Sequence, residues 1–133
     1  MGQPAYEIAR LFPDQGQWSD GDYLDFTQSL NRLVELSDGA PEVLPMPTRE
    51  HQLVLARLSD RFRTLAKEIG GICLFAPMRL RLRPGKFREP DLIFLRRSDD
   101  PRNQNEFWTG TDIAVEILGP HNPERDTVTK RQD

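Results

Sequence analysis

The feature that most constrains the fold is a change of hydrophobic period at Gly70-Gly71. Before it, residues 48–69 show the spacing of three and four that marks one face of an amphipathic helix, with Leu55, Leu58, Phe62, Leu65 and Ile69 on that face. Thr48 is the candidate N-cap, and His51 lies on the same face as Leu55. After it, residues 72–83 alternate with a period of two, which predicts a single strand. A long helix followed by a strand indicates a sheet packed against helices.

Shorter elements precede this pair. Ser19 is a candidate N-cap for a helix that runs to about residue 30. Residues 32–36 have the composition of a strand, Asp38-Gly39 is a turn signal, and residues 42–44 can return as the second strand of a hairpin. The N-terminal part should therefore consist of a helix and a hairpin.

Two further strands and a helix are predicted after the long helix. Residues 87–95 and 111–118 are apolar on both faces, as expected for buried strands. Asn122-Pro123 begins another helix, because an Asn cap followed by proline suits a first turn. The expected order is helix, hairpin, long helix, three strands and helix, which is an α/β domain of the mixed α+β kind.

Length, charge and cysteine content exclude several classes of protein and of binding site. The chain has 133 residues, enough for one domain, and a net charge of −3 that gives no support to nucleic-acid binding through bulk charge. Cys73 is its one cysteine, which excludes an intrachain disulfide and a cysteine-based zinc site. No apolar run reaches the ~20 residues of a membrane span, and the N-terminus lacks a signal pattern, so we expect a cytoplasmic protein.

Two carboxylates in apolar surroundings carry the main functional signal. Asp91 stands at the entrance of one predicted buried strand and Glu116 within another. An unpartnered buried carboxylate costs several kcal/mol, so each needs a cation, hydrogen-bond donors or a metal. Mg²⁺ prefers such oxygen ligands, and Lys130 on the following helix could reach the same place. The alternative is structural: Pro-Asp pairs are common at turns, a strand Glu can form a salt bridge, and Asp126 and Lys130 have the spacing of a solvated helix pair.

The chain resembles the PD-(D/E)xK restriction-endonuclease-like nucleases, and more narrowly the Uma-two family of endonucleases. The matching stretches, in chain order, are Leu33-Val34-Glu35-Leu36 with Gly39, His51, Pro90-Asp91, Val115-Glu116-Ile117-Leu118-Gly119-Pro120, Arg125-Asp126 and Lys130. The resemblance covers about residues 19–133 and leaves residues 1–18 as an N-terminal extension. It implies a restriction-endonuclease-like central mixed sheet flanked by helices. Because family members continue past the position of Lys130, it also implies that C-terminal strands are missing here.

The resemblance assigns a role to each matching position. Asp91 and Glu116 would be metal ligands for Mg²⁺ or Mn²⁺, with the main-chain carbonyl of Ile117 as a third. Lys130 would be the catalytic lysine, Glu35 an additional catalytic acid, and His51 an accessory catalytic residue. The implied activity is metal-dependent endonucleolytic hydrolysis of DNA phosphodiester bonds, with a homodimer expected by analogy. The alternative is a catalytically inactive nucleic-acid-binding or protein-interaction module on the same fold.

A basic strip offers a second, weaker signal. Arg79, Arg81 and Arg83 share one face of the strand predicted over residues 72–83. They could contact nucleic-acid phosphates. They could equally form a solvated strand face, or protect a sheet edge by charge.

Overall fold

The computed structural model describes residues 12–28, 30 and 32–118. Within them lie two helices, α1 (Asp20–Thr27) and α2 (Arg49–Ile69). The strands are β1 (Val34–Ser37), β2 (Ala40–Val43), β3 (Ile72–Phe75), β4 (Arg79–Arg83), β5 (Lys86–Arg88), β6 (Leu92–Leu95), β7 (Phe107–Trp108) and β8 (Ile113–Val115). The expected mixed α+β class is confirmed. Neither described helix has the length and apolar character needed to cross a membrane.

The N-terminal elements follow the local signals in the sequence. The Ser19 side chain accepts a hydrogen bond from the Asp22 main-chain N–H, and the Asp22 side chain accepts one from the Ser19 N–H, which completes a capping box at the start of α1. The β1–β2 hairpin turns at Asp38 and Gly39, whose φ angles are 50° and 81°. Positive φ at both central residues matches a turn whose twist suits antiparallel strands.

Helix α2 has the predicted caps but a rotated buried face. Thr48 Oγ1 accepts from the His51 N–H at 3.2 Å, and Gly70 ends the helix with φ 76°. Leu65 and Ile69, expected to be buried, are 38% and 47% exposed. Ala66 is buried instead, because its small side chain lets the helix pack closely on Leu92 and Phe94 of β6.

Two of the predicted strands are wrong, since each is divided by a turn at a proline. Residues 72–83 form β3 and β4, which belong to different sheets. Residues 87–95 form β5 and β6, separated by residues 89–91. Proline has no N–H to donate to a strand ladder, so Pro77 and Pro90 interrupt the pairing. The strand expected at 111–118 is limited to β8, where Ile113 is 38% exposed.

The strands form two sheets. The five-stranded sheet has the order β2-β1-β5-β4-β7, antiparallel except for β4 with β7. The three-stranded sheet has the order β3-β6-β8 and is antiparallel. Strand β6 is apolar on both faces because Leu92 and Phe94 pack with α2, whereas Ile93 and Leu95 pack with Leu80 and Trp108 of the other sheet. The connection between β5 and β6 therefore passes from one sheet to the other, and it carries Asp91.

Candidate active site

Asp91 lies at the end of the β5–β6 connection and is 7% exposed. Its Oδ1 is 2.9 Å from Nε2 of His51, and its Oδ2 accepts a hydrogen bond from the main-chain N–H of Ile117 at 2.7 Å. The Asp91 carbonyl accepts from the Ala76 N–H at 3.3 Å. The carboxylate is thus held by a long helix on one side and by the chain just after β8 on the other.

His51 reaches Asp91 from the first turn of α2. The N-cap at Thr48 fixes this turn, and the spacing from Leu55 places His51 on the side of the helix that faces β6. Because Nε2 faces a carboxylate oxygen, it is the nitrogen that carries a proton in this pair. The Nδ1 atom is buried and has no hydrogen-bond partner in the part of the chain that the structure describes.

Glu116 follows β8 directly and is partly buried. The antiparallel register pairs Leu92 with Val115, so the main chain of Glu116 runs beside that of Asp91. The hydrogen bond from the next residue, Ile117, to Asp91 confirms that these two segments meet. The structure therefore brings His51, Asp91 and the main chain of Glu116 and Ile117 close together, while their roles stay a prediction.

Glu35 contacts the connection rather than the Asp91 side chain. Its Oε2 accepts from the main-chain N–H of Glu89 at 2.9 Å, and its Oε1 lies 3.8 Å from Nε of Arg88. Arg88 also donates from Nη1 to the Leu36 carbonyl at 3.2 Å. Glu35 and Arg88 are both buried, so this ion pair is well shielded from solvent.

Glu89 is a buried carboxyl group that the sequence analysis did not select. Its Oε1 accepts from the Val34 main-chain N–H at 2.8 Å and from the Tyr23 hydroxyl at 3.3 Å. Burial, with a smaller contribution from the charge of Glu35, raises the pKa of Glu89 to about 7, against the opposing effects of the two hydrogen bonds and of Arg79. Burial, then the nearby Glu89 carboxylate, raises the pKa of the Tyr23 hydroxyl above its usual range.

A signal for Glu89 was present in the sequence. The residue lies between Phe87 and the apolar run of β6, so the argument from buried charge that selected Asp91 applies to it equally. Lys130, the predicted catalytic lysine, lies outside the described residues.

The arginines of the basic strip on β4 contact side chains from other parts of the same chain. Arg81 donates from Nε to Asp20 Oδ2 at 2.9 Å, and Arg83 donates from Nη1 to Asp38 Oδ1 at 2.7 Å. The Arg79 guanidinium lies 6.0 Å from the centroid of the Tyr23 ring. These contacts favour the structural interpretation of the strip, while phosphate binding by these arginines stays a prediction.

The donor atoms around Asp91 are compatible with a hard divalent cation. No group of three or more His, Cys, Asp or Glu side chains that could hold a metal occurs among residues 12–28, 30 and 32–118. Mg²⁺, however, commonly uses one or two carboxylates and completes its shell with water. The segment whose main chain runs beside Asp91 carries the Glu116 side chain and the Ile117 carbonyl. Each Asp91 oxygen has a second lone pair beyond the hydrogen bond it accepts, so the observed contacts leave capacity for a ligand bond.

The family model "Uma2: Putative restriction endonuclease" matches residues 20–133. Among solved structures, the chain is similar to a protein described as "a putative nuclease belonging to DUF820 from Anabaena variabilis", with a TM-score of 0.60 and 21% identity. The alignment covers 81% of this chain and 64% of that one, so the chain spans less than two thirds of its solved relative. At this identity the likeness concerns the fold alone. No curated protein matches the chain.

Proposed function

The chain belongs to the Uma2 family of restriction-endonuclease-like proteins, and from this premise we propose that it is a metal-dependent endonuclease that hydrolyses DNA phosphodiester bonds. The observation that carries the proposal is the placement of Asp91. A buried carboxylate is held at the junction of two sheets and a helix, beside a segment that supplies a second carboxylate and a carbonyl. Buried ionisable groups that are held by specific partners in this way occur at functional sites more often than elsewhere.

Asp91, Glu116 and the Ile117 carbonyl would hold Mg²⁺ or Mn²⁺. Such a cation, when bound, activates water and stabilises negative charge on a phosphate. His51 contributes by donating from Nε2 to Asp91 Oδ1, which fixes the orientation of the carboxylate. Lys130 would orient the attacking water or neutralise developing charge, as in the family pattern. Glu35 would support the site through the connection it binds.

A cleavage assay tests the proposal. The chain is incubated with supercoiled plasmid DNA and Mg²⁺ or Mn²⁺, and conversion to nicked and linear forms is followed on a gel. We expect cleavage that stops in EDTA and falls by at least about 100-fold in Asp91→Ala and Glu116→Ala, because removal of a stabilising electrostatic group costs this much in other enzymes.

Asp99→Ala is the matched control for these substitutions. Its carboxylate is exposed and pairs with Arg97 in the same loop, away from Asp91. Cleavage by this variant should equal that of the unmodified chain. Cleavage that persists unchanged in both Asp91→Ala and Glu116→Ala would refute the metal site. DNA binding that survives in EDTA without any cleavage would favour the inactive nucleic-acid-binding module.

A further inference from the structure

We propose that Glu89 is a positioning residue for Asp91: its carboxyl group fastens the β5–β6 connection to β1 and thereby fixes where the Asp91 carboxylate lies. The inference rests on the metal site of the proposed function and extends it to a residue to which the resemblance assigned no role.

Residue 89 is held to β1 at two points. Its main-chain N–H donates to Glu35 Oε2 at 2.9 Å, and its own Oε1 accepts from the Val34 N–H at 2.8 Å. Val34 and Glu35 are consecutive, so the two hydrogen bonds form a reciprocal bracket between one place on β1 and one residue of the connection. The Tyr23 hydroxyl of α1 shares its one proton between the Val34 carbonyl at 2.6 Å and Glu89 Oε1 at 3.3 Å.

A single residue lies between this bracket and Asp91. Pro90 separates Glu89 from Asp91, and its ring fixes φ near −65°, so few torsions remain free between the bracket and the carboxylate. Residues 88–95 are all buried, which prevents the connection from moving sideways. Glu89 therefore influences the position of Asp91 through the main chain, without direct contact with the Asp91 side chain or its hydrogen-bond partners.

Loss of the bracket should lower the affinity for the metal and leave the rest of the fold largely unchanged. Ligand groups need supporting contacts that hold them within about 0.5 Å of productive geometry, and loss of an outer supporting partner typically costs about 10- to 100-fold in metal affinity. A Gln at position 89 keeps an acceptor oxygen for the Val34 N–H and the Tyr23 hydroxyl. An Ala removes it. Comparing the metal affinities of the two variants therefore distinguishes loss of the bracket from a general effect of substituting residue 89.

The test measures Mn²⁺ affinity by isothermal titration calorimetry on the 133-residue chain, with no DNA present. We expect Glu89→Ala to raise the Kd by at least about 10-fold, and Glu89→Gln to stay within about threefold of the unmodified chain. Glu68→Ala, which removes an exposed carboxylate from the far end of α2, should leave the Kd unchanged. Circular dichroism establishes that each variant is folded at the temperature of the titration.

The outcomes separate this inference from the function it rests on. If Asp91→Ala abolishes Mn²⁺ binding while Glu89→Ala binds as tightly as the unmodified chain, the positioning role is refuted and the metal site stands. If the unmodified chain does not bind Mn²⁺, or if Asp91→Ala leaves the Kd unchanged, the proposed metal site is refuted and the positioning role with it.

A second measurement needs no substitution and decides the question if Glu89→Ala does not fold. Because coupling between two sites is reciprocal, a bracket that strengthens metal binding must itself be strengthened by the metal by the same factor. Amide hydrogen exchange with and without Mg²⁺ should show protection of the Val34 and Glu89 N–H groups rising about 10-fold more than that of Trp108. Trp108, on the far edge of the five-stranded sheet, is the reference amide outside the bracket. An equal rise at all three amides, or none, would overturn the inference.

Discussion

Replacing Glu89 with Gln should remove a pH-dependent loss of stability from this protein. Burial raises the pKa of Glu89 from an ordinary value of 4.5 to about 7. The folded protein therefore keeps a proton on this group over a range in which the unfolded chain has lost it. The stability contributed by the group is fully present below pH 4.5 and is lost as the pH rises through about 7.

The size of the effect follows from the difference between these two values. A pKa difference of this size corresponds to about 3 kcal/mol of unfolding free energy. Glu89 is 3% exposed, so solvent screening does little to reduce this figure. Gln has nearly the same shape and does not titrate. The difference in unfolding free energy between the unmodified chain and Glu89→Gln should thus shift by about 3 kcal/mol, in favour of the variant, between about pH 4 and pH 8.

Urea unfolding followed by circular dichroism measures this difference directly. Both proteins are unfolded in EDTA at the same series of pH values. Because every other group titrates alike in the two proteins, its contribution cancels in the difference between their unfolding free energies. Asp99→Asn is the control of opposite sign, because the Arg97 guanidinium lowers the pKa of Asp99 and its contribution is lost as the pH falls. A free-energy difference between the unmodified chain and Glu89→Gln that stays constant with pH would refute the reasoning.

Four further substitutions test the packing, the turns and a helix cap, each by urea unfolding. Gly39→Ala should cost at least about 2 kcal/mol, because the new Cβ would lie 2.5 Å from the Gly16 carbonyl oxygen at a φ of +81°. Gly70→Ala has a similar φ of +76° but open space around it, and should cost only about 1 kcal/mol; equal losses would argue against the steric clash. Trp108→Ala should cost about 3–5 kcal/mol, since the ring is fully buried, and a loss below about 1 kcal/mol would contradict its place in the core. Ser19→Ala should cost about 1 kcal/mol through loss of the N-cap, and an unchanged midpoint would count against the capping box.

Features that depend on residues close together in the chain could be predicted from the sequence. The cap at Thr48, the end of α2 at Gly70 and the turn at Asp38-Gly39 were all predicted, because their hydrogen bonds and φ angles involve residues within a few positions of one another. The importance of Asp91 also followed from the sequence, since a carboxylate beside an apolar strand must find partners.

The pairing of the strands, by contrast, depends on how distant segments pack in the fold. A period of two tells which side chains share a face of a strand, but not which strand lies beside it or where a strand changes sheet. The sequence therefore could not divide residues 72–83 between two sheets. The exposure of Leu65 could not be predicted from the sequence either, because a helix with several possible apolar faces buries the face that packs best against the sheet.

The partners of the buried acids were decided in the same way. His51 and Asp91 are far apart in the chain, and only the packing of α2 on β6 brings Nε2 and Oδ1 within 2.9 Å. Glu89 meets Val34 across 55 residues of sequence, a contact that no local pattern encodes. The sequence shows that a buried carboxylate needs a partner, and the fold chooses it, because hydrogen-bond partners from distant segments are set by how the sheets and helices pack.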